Sequence, residues 1–185
     1  MTRAASVTAR KWAVVSSLLA PVALIGGWTV AAAARPGFDQ VRQTISALAA
    51  VGAPNRWIMT AGLAVVGVCH VVTAAGLTGA RPAGRVLLAV GGVGSAAVAA
   101  VPEPLGGHAI AAAVAFGALS VWPAVAGAPG VRSSWVATVV LVGCLAGFWW
   151  SSQAGHLVGL TERVLAGAQV CWPAIAVLAG RPPSG

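Results

Sequence analysis

A chain of 185 residues with 58% hydrophobic and 8% charged residues is not a soluble domain, which carries about a quarter charged residues. Its net charge of +8 suggests nucleic acid at first sight. The arginines, however, stand singly at the ends of apolar stretches and form no basic patch, so the charge reads as a topology signal and no nucleic-acid partner is expected.

Apolar runs of about 20 residues recur, the length that crosses a bilayer core as helix. The expected fold class is therefore an all-α membrane protein, a six-helix transmembrane bundle. It forms a single domain over about 12–180, between tails at 1–11 and 181–185. The first span, about 12–34, follows Arg3, Arg10 and Lys11 and ends in Ala31–Ala34. That pattern has features of a signal peptide, but its apolar core is long for one, and an uncleaved first helix is expected. The segment after it, Arg35 to Arg56, places Phe38, Val41, Ile45 and Leu48 on one helical stripe and Asp39, Arg42, Gln43 and Ser46 on another. It predicts a short interfacial amphipathic helix over about 38–50, bounded by Pro36-Gly37 and Gly52-Ala-Pro54.

The remaining spans are expected at about 57–79, 86–101, 108–127, 134–151 and 160–179. His70 sits near the middle of the second. A neutral imidazole hydrogen-bonded to a neighbouring helix is the plainer reading, and a proton relay the sharper one. Gly91-Gly-Val-Gly94 in the third span is a packing face and matches no nucleotide-binding loop. Gly143 and Gly147, and Gly155 and Gly159, repeat at four-residue spacing, as do Ala109, Ala113 and Gly117. Such small faces let helices approach closely within a bundle. Gly107-His108 leading to Trp122-Pro123 is echoed by Gly155-His156 leading to Trp172-Pro173, a hint of a duplicated hairpin. Cys69, Cys144 and Cys171 lie inside spans without metal-ligand or disulfide spacing, and read as apolar packing residues.

Counting Lys and Arg on alternate sides orients the chain. One side holds Arg3, Arg10, Lys11, Arg81, Arg85, Arg132 and Arg181, seven bases and no acid. The other holds Arg35, Arg42, Arg56 and Arg163 with all three acids of the chain, Asp39, Glu103 and Glu162, a balance of +1. The termini are thus expected on the cytoplasmic side of a plasma membrane, and every carboxylate outside. A single Lys against ten Arg and the absence of Tyr suggest a GC-rich bacterial source.

Asp39, Arg42, Asn55, Arg56, Glu103, Glu162 and Arg163, with Ser46, His108 and His156, therefore belong near one depth. Ionisable groups there pair or line a cavity, and arginine holds phosphate or carboxylate headgroups in bidentate fashion. Ser46 with His108 or His156 and Asp39 contains the ingredients of a nucleophile, a base and an orienting carboxylate, although no GxSxG elbow surrounds Ser46. The His and Glu residues lack metal-ligand spacing, so neither a metal nor a cofactor is expected.

Asp39-Gln-Val-Arg42-Gln-Thr-Ile45-Ser46-Ala-Leu48, followed by Gly52-Ala-Pro54-Asn55-Arg56-Trp57 and later by Gly159-Leu-Thr-Glu162-Arg163 with Trp172, resembles domain-of-unknown-function family 998 over roughly 14–180. The resemblance implies a six-helix bacterial membrane protein. It singles out Ser46, Asn55, His108, Glu162 and Arg163 as pocket residues and implies no reaction. The leading expectation is a protein that binds a lipid or other amphiphile in an outward-facing polar pocket. Arg42, Arg56 and Arg163 would meet a headgroup, steered by Asp39, Glu103 and Glu162, with His108 and His156 hydrogen-bonding. The alternatives are a serine hydrolase of lipid esters using Ser46, and an accessory subunit packed against a larger membrane-protein partner.

Overall fold

The computed structural model describes residues 9–127 and 131–179, with the side chains of 131–133 outside that description. Arg3 and Arg181, both tails' outer residues and the side chain of Arg132 thus lie outside the described residues. Six helices are long and apolar enough to cross a membrane: α1 (Lys11–Ala33), α3 (Trp57–Gly76), α4 (Pro82–Ala100), α5 (His108–Ala126), α6 (Val131–Ala154) and α7 (Val158–Ala179). A four-residue helix, α2 (Ser46–Ala49), stands between the first two. No strand occurs among the described residues. This is the six-helix bundle of a multi-pass membrane protein.

Several helix ends differ from expectation for local reasons. α4 begins four residues earlier than expected because Arg81 is extended and Pro82 occupies the first turn, where its missing N–H costs nothing. α3 stops at Gly76, and α6 runs on to Ala154. Pro21, Pro123 and Pro173 sit inside helices, as membrane helices tolerate. The interfacial segment departs most: only Ser46–Ala49 is helical, and residues before it run as turns.

Each long helix packs on its chain neighbour, and α7 closes the ring against α1. Alternating direction gathers the 34–56, 101–107 and 155–157 connections at one end, joined there by Val51 N–H donating to the Glu103 carbonyl at 2.8 Å. Asp39, Glu103 and Glu162 all belong to this carboxylate end. At the opposite end Arg85 donates to the Ala74 and Ala75 carbonyls, both at 2.8 Å, satisfying orphan groups at the C-terminus of α3. Trp122, buried, and Trp172, partly buried, join one apolar cluster near that end with Leu77, Leu88 and Val177.

Glycine welds three of the helices. A Cβ on Gly67 would lie 2.7 Å from the Gly92 carbonyl oxygen, and one on Gly92 would lie 2.7 Å from that of Gly67. Farther along, Gly94 abuts the Ala115 backbone at 2.8 Å, and Gly84 abuts Ala126 Cα at 2.2 Å, by the same measure. The α3–α4–α5 seam is thus packed backbone to backbone. The expected packing role of Gly91–Gly94 fits this seam. Gly117, Gly143 and Gly147 behave differently: among the described residues nothing comes within 4 Å of a Cβ placed on them, so no described helix packs against them.

Candidate functional site

The interfacial segment is held down by α7. Val41 offers its carbonyl to Leu160 N–H at 3.1 Å. Arg163 Nη1 donates to the carbonyls of Gln40 (2.8 Å) and Gln43 (2.9 Å), and to its own-helix Gly159 carbonyl. The glycine at 159 is needed, since a Cβ there would stand 2.2 Å from the Gln43 oxygen. Glu162, only 3% exposed, accepts from Ile45 N–H at 2.5 Å, with the Ser46 backbone also donating to it. The Phe38 ring lies under both Arg35 and Arg163, whose guanidinium carbons are 5.2 and 5.6 Å from its centre. The apolar stripe seen in the sequence is therefore real but does not make a long helix. The carbonyls of Gln40, Val41 and Gln43 turn outward to α7 instead of bonding along their own segment.

Beside this clamp a cleft opens between α5 and α6. Thr44, Ser46, Glu103, His108, Ser152 and Glu162 line its polar part; Ala112, Phe116, Val142, Leu145, Phe148 and Trp149 line the rest. Its volume is about 650 Å³. Phe116 and Phe148 meet edge to face with centroids 5.5 Å apart. Trp149 and Trp150 are exposed, at the end of a membrane helix where amphipathic rings favour the interface. His108 opens α5, is buried, and places Nδ1 2.8 Å from the Val101 carbonyl. Because a carbonyl only accepts, this nitrogen carries the proton. Its Nε2 faces Glu103 at 3.6 Å.

The expected site residues therefore divide. Ser46, Glu103, His108 and Glu162 converge on the cleft. Asp39 caps its own turn through Val41 and Arg42 N–H, and lies 3.8 Å from the exposed Arg42. Asn55, in the left-handed region at φ +52, reaches toward the Ala34 carbonyl, and Arg56 starts α3. His156 is exposed in the turn before α7, where its carbonyl accepts from Ser151 Oγ. Arg163 gives Nη1 to the clamp, and its Nε and Nη2 are buried without a hydrogen-bond partner among the described residues. None of these six lines the cleft. No hydrogen bond joins Ser46 to a histidine or Asp39 to either histidine among the described residues, so a serine–histidine–aspartate relay is not assembled in this geometry. Nor do three His, Cys, Asp or Glu side chains gather as metal ligands there.

Behind the cleft lies a second, inner cavity between α1, α3, α4, α5 and α7. Ser46, His70, Ser95, Glu162 and Gln169 are its polar lining. Gln169 Nε2 donates to the Phe116 carbonyl and to Ser120 Oγ, both at 2.9 Å. Its Oε1 and both ring nitrogens of His70 are buried without a protein partner among the described residues. The hydrogen bond expected between His70 and a neighbouring helix is thus not made. Ser95 and Gln169 escaped the sequence reading, which followed charge. The available signal was a polar side chain within an apolar span, the rule that had picked out His70.

A family model described as Protein of unknown function (DUF998) matches residues 18–179. No curated protein and no solved structure matches the chain.

Proposed function

The chain belongs to the DUF998 family of proteins of unknown function, and from that premise we propose that it binds a membrane lipid with an amine-bearing head in the α5–α6 cleft. The supporting observation is the cleft's lining. Its polar part carries two carboxylates, Glu103 and Glu162, with His108 and three hydroxyl side chains from residues 44, 46 and 152, and no lysine or arginine. A lining with no lysine or arginine, in which Glu103 is accessible, favours a donor-rich, positively charged head over a phosphate. Glu103 is the carboxylate available to it, since its side chain is 41% exposed while that of Glu162 is buried on the Ile45 amide. The aromatic and aliphatic wall of α5 and α6 suits an acyl chain, and a volume near 650 Å³ lies within the roughly 300–1,000 Å³ of ligand pockets.

The same reading places the protein in a bacterial plasma membrane with both termini cytoplasmic. It rests on the excess of Lys and Arg at the end of the bundle opposite the carboxylates. The cleft then faces the outer leaflet. The test is titration of the purified protein in detergent with dodecylamine, dodecyl phosphate and dodecyl maltoside. The amine is expected to bind saturably at one site, and Glu103→Gln to weaken it by roughly tenfold, about 1.4 kcal/mol, with Arg42→Ala without effect. Equal binding of amine and phosphate, or an unchanged Glu103→Gln variant, would overturn the assignment.

A further inference from the structure

We propose that the inner cavity is a water-holding chamber that brings His70, deep within the bundle, into proton exchange with the carboxylate end of the protein. Three observations converge on it. The first is the polar atoms. His70 is 1% and Gln169 2% exposed, and together they present three nitrogen or oxygen atoms without a protein partner to one cavity. Buried polar atoms are almost always hydrogen-bonded, because leaving one bare costs kilocalories. Ser95, the polar side chain that α4 brings to the cavity, donates to the Gly91 carbonyl of its own helix at 3.0 Å, and Gly92, whose Cβ would lie 2.9 Å from His70 Cβ, has no side chain to offer.

The second is room. The centre of a water-sized sphere has about 50 Å³ to occupy in the cavity. At roughly 10–15 Å³ of such volume per molecule, about three to five waters fit; the lining is mostly apolar, so they gather at its polar side chains, Ser46, His70, Ser95, Glu162 and Gln169.

The third is a route. The polar groups form a ladder when counted from the carboxylate end of each helix. Glu162 is four residues along α7, Ser95 five along α4, Gln169 eleven along α7 and His70 thirteen along α3. At about 1.5 Å per residue these depths are roughly 6, 7, 16 and 20 Å. The cavity and the α5–α6 cleft share Ser46, Ala112, Phe116 and Glu162 as a common wall. Water therefore enters past Ser46 and Glu162. It donates to Gln169 Oε1 and meets the donor and acceptor nitrogens of the imidazole. The inference does not depend on what binds in the outer cleft.

The experiment uses the full chain labelled with ¹⁵N-histidine in lipid nanodiscs, with the His70 ring signals assigned by their loss in His70→Asn. Magnetisation exchange between the His70 ring N–H and water is measured. Wild type is expected to give an exchange cross-peak. Ala112→Phe, which fills the shared wall, is expected to slow that exchange by an order of magnitude or more, and the milder Ser46→Val to slow it less. Gly117→Ala, on an open helix face, is expected to leave it unchanged. Absence of exchange in wild type would mean a dry cavity and overturn the proposal on its own, whether or not the filled variants fold. Undiminished exchange in either wall variant would overturn the route. Failure of the amine titration with His70 exchange intact would refute the lipid reading alone.

Discussion

The α3–α4–α5 side of the bundle and the α5–α6 side are built from the same small residues and behave in opposite ways. In the seam, Gly67 and Gly92 face each other so closely that neither tolerates a Cβ without backbone movement. Across the molecule, Gly143 and Gly147 have the four-residue spacing usually read as a helix contact, yet no described neighbour lies within 4 Å of a Cβ placed on them. In lipid, helices associate through close packing and hydrogen bonds, with no hydrophobic drive between them. A glycine therefore matters only where a partner backbone occupies the space it leaves. The seam gives the bundle a closely packed half, and the sparsely packed α6 leaves the cleft.

Substitutions that fill these spaces or remove a buried partner sharpen this contrast. The largest effect is expected for Gly84→Leu, whose Cβ alone would fall 2.2 Å from Ala126 Cα; it should abolish recovery of folded, monodisperse protein from detergent. Gly92→Ala should unfold more readily in a thermal or SDS titration, by about 1–3 kcal/mol, as overpacking usually costs. Next comes Glu162→Leu, which strands the buried Ile45 amide. A cost of about 1–3 kcal/mol is expected for an unpaired buried donor, with faster hydrogen exchange confined to residues 38–46. The smallest effect belongs to Gly143→Ala, within about 0.5 kcal/mol of wild type as for substitutions away from any contact. Were it as damaging as Gly92→Ala, the distinction between the two halves would fail.

Much of the fold was readable because hydropathy and helix length are local properties. An apolar run in lipid has no choice but to satisfy its own backbone as helix, so six runs became six helices. Their ends moved by a few residues where Pro82 or Ala154 set the boundary. The segment before α2 forms less helix than its pattern predicts, for a reason that lies outside it. Its stripe of Phe38, Val41, Ile45 and Leu48 suits a helix, but Arg163 and the amide of Leu160 take the carbonyls of Gln40, Val41 and Gln43. Those partners stand about 120 residues away in sequence. The candidate site was half legible. Charge counting collected the right end of the molecule, while nothing in the sequence separated Glu103 and His108, which face the cleft, from Arg42 and His156, which face away.

The sequence by itself determined the number of spans, their alternating direction and the gathering of Asp39, Glu103 and Glu162 at one end, because these follow from apolar length and the order of charges along the chain. Tertiary structure alone decided what each carboxylate does. Asp39 caps its own turn, Glu103 remains accessible beside His108, and Glu162 is buried on a backbone amide. It also decided that His70 faces a cavity rather than a partner. The reason is physical: a side chain's role depends on which donors, acceptors and spaces other helices bring to it, and that is a property of the packed ring.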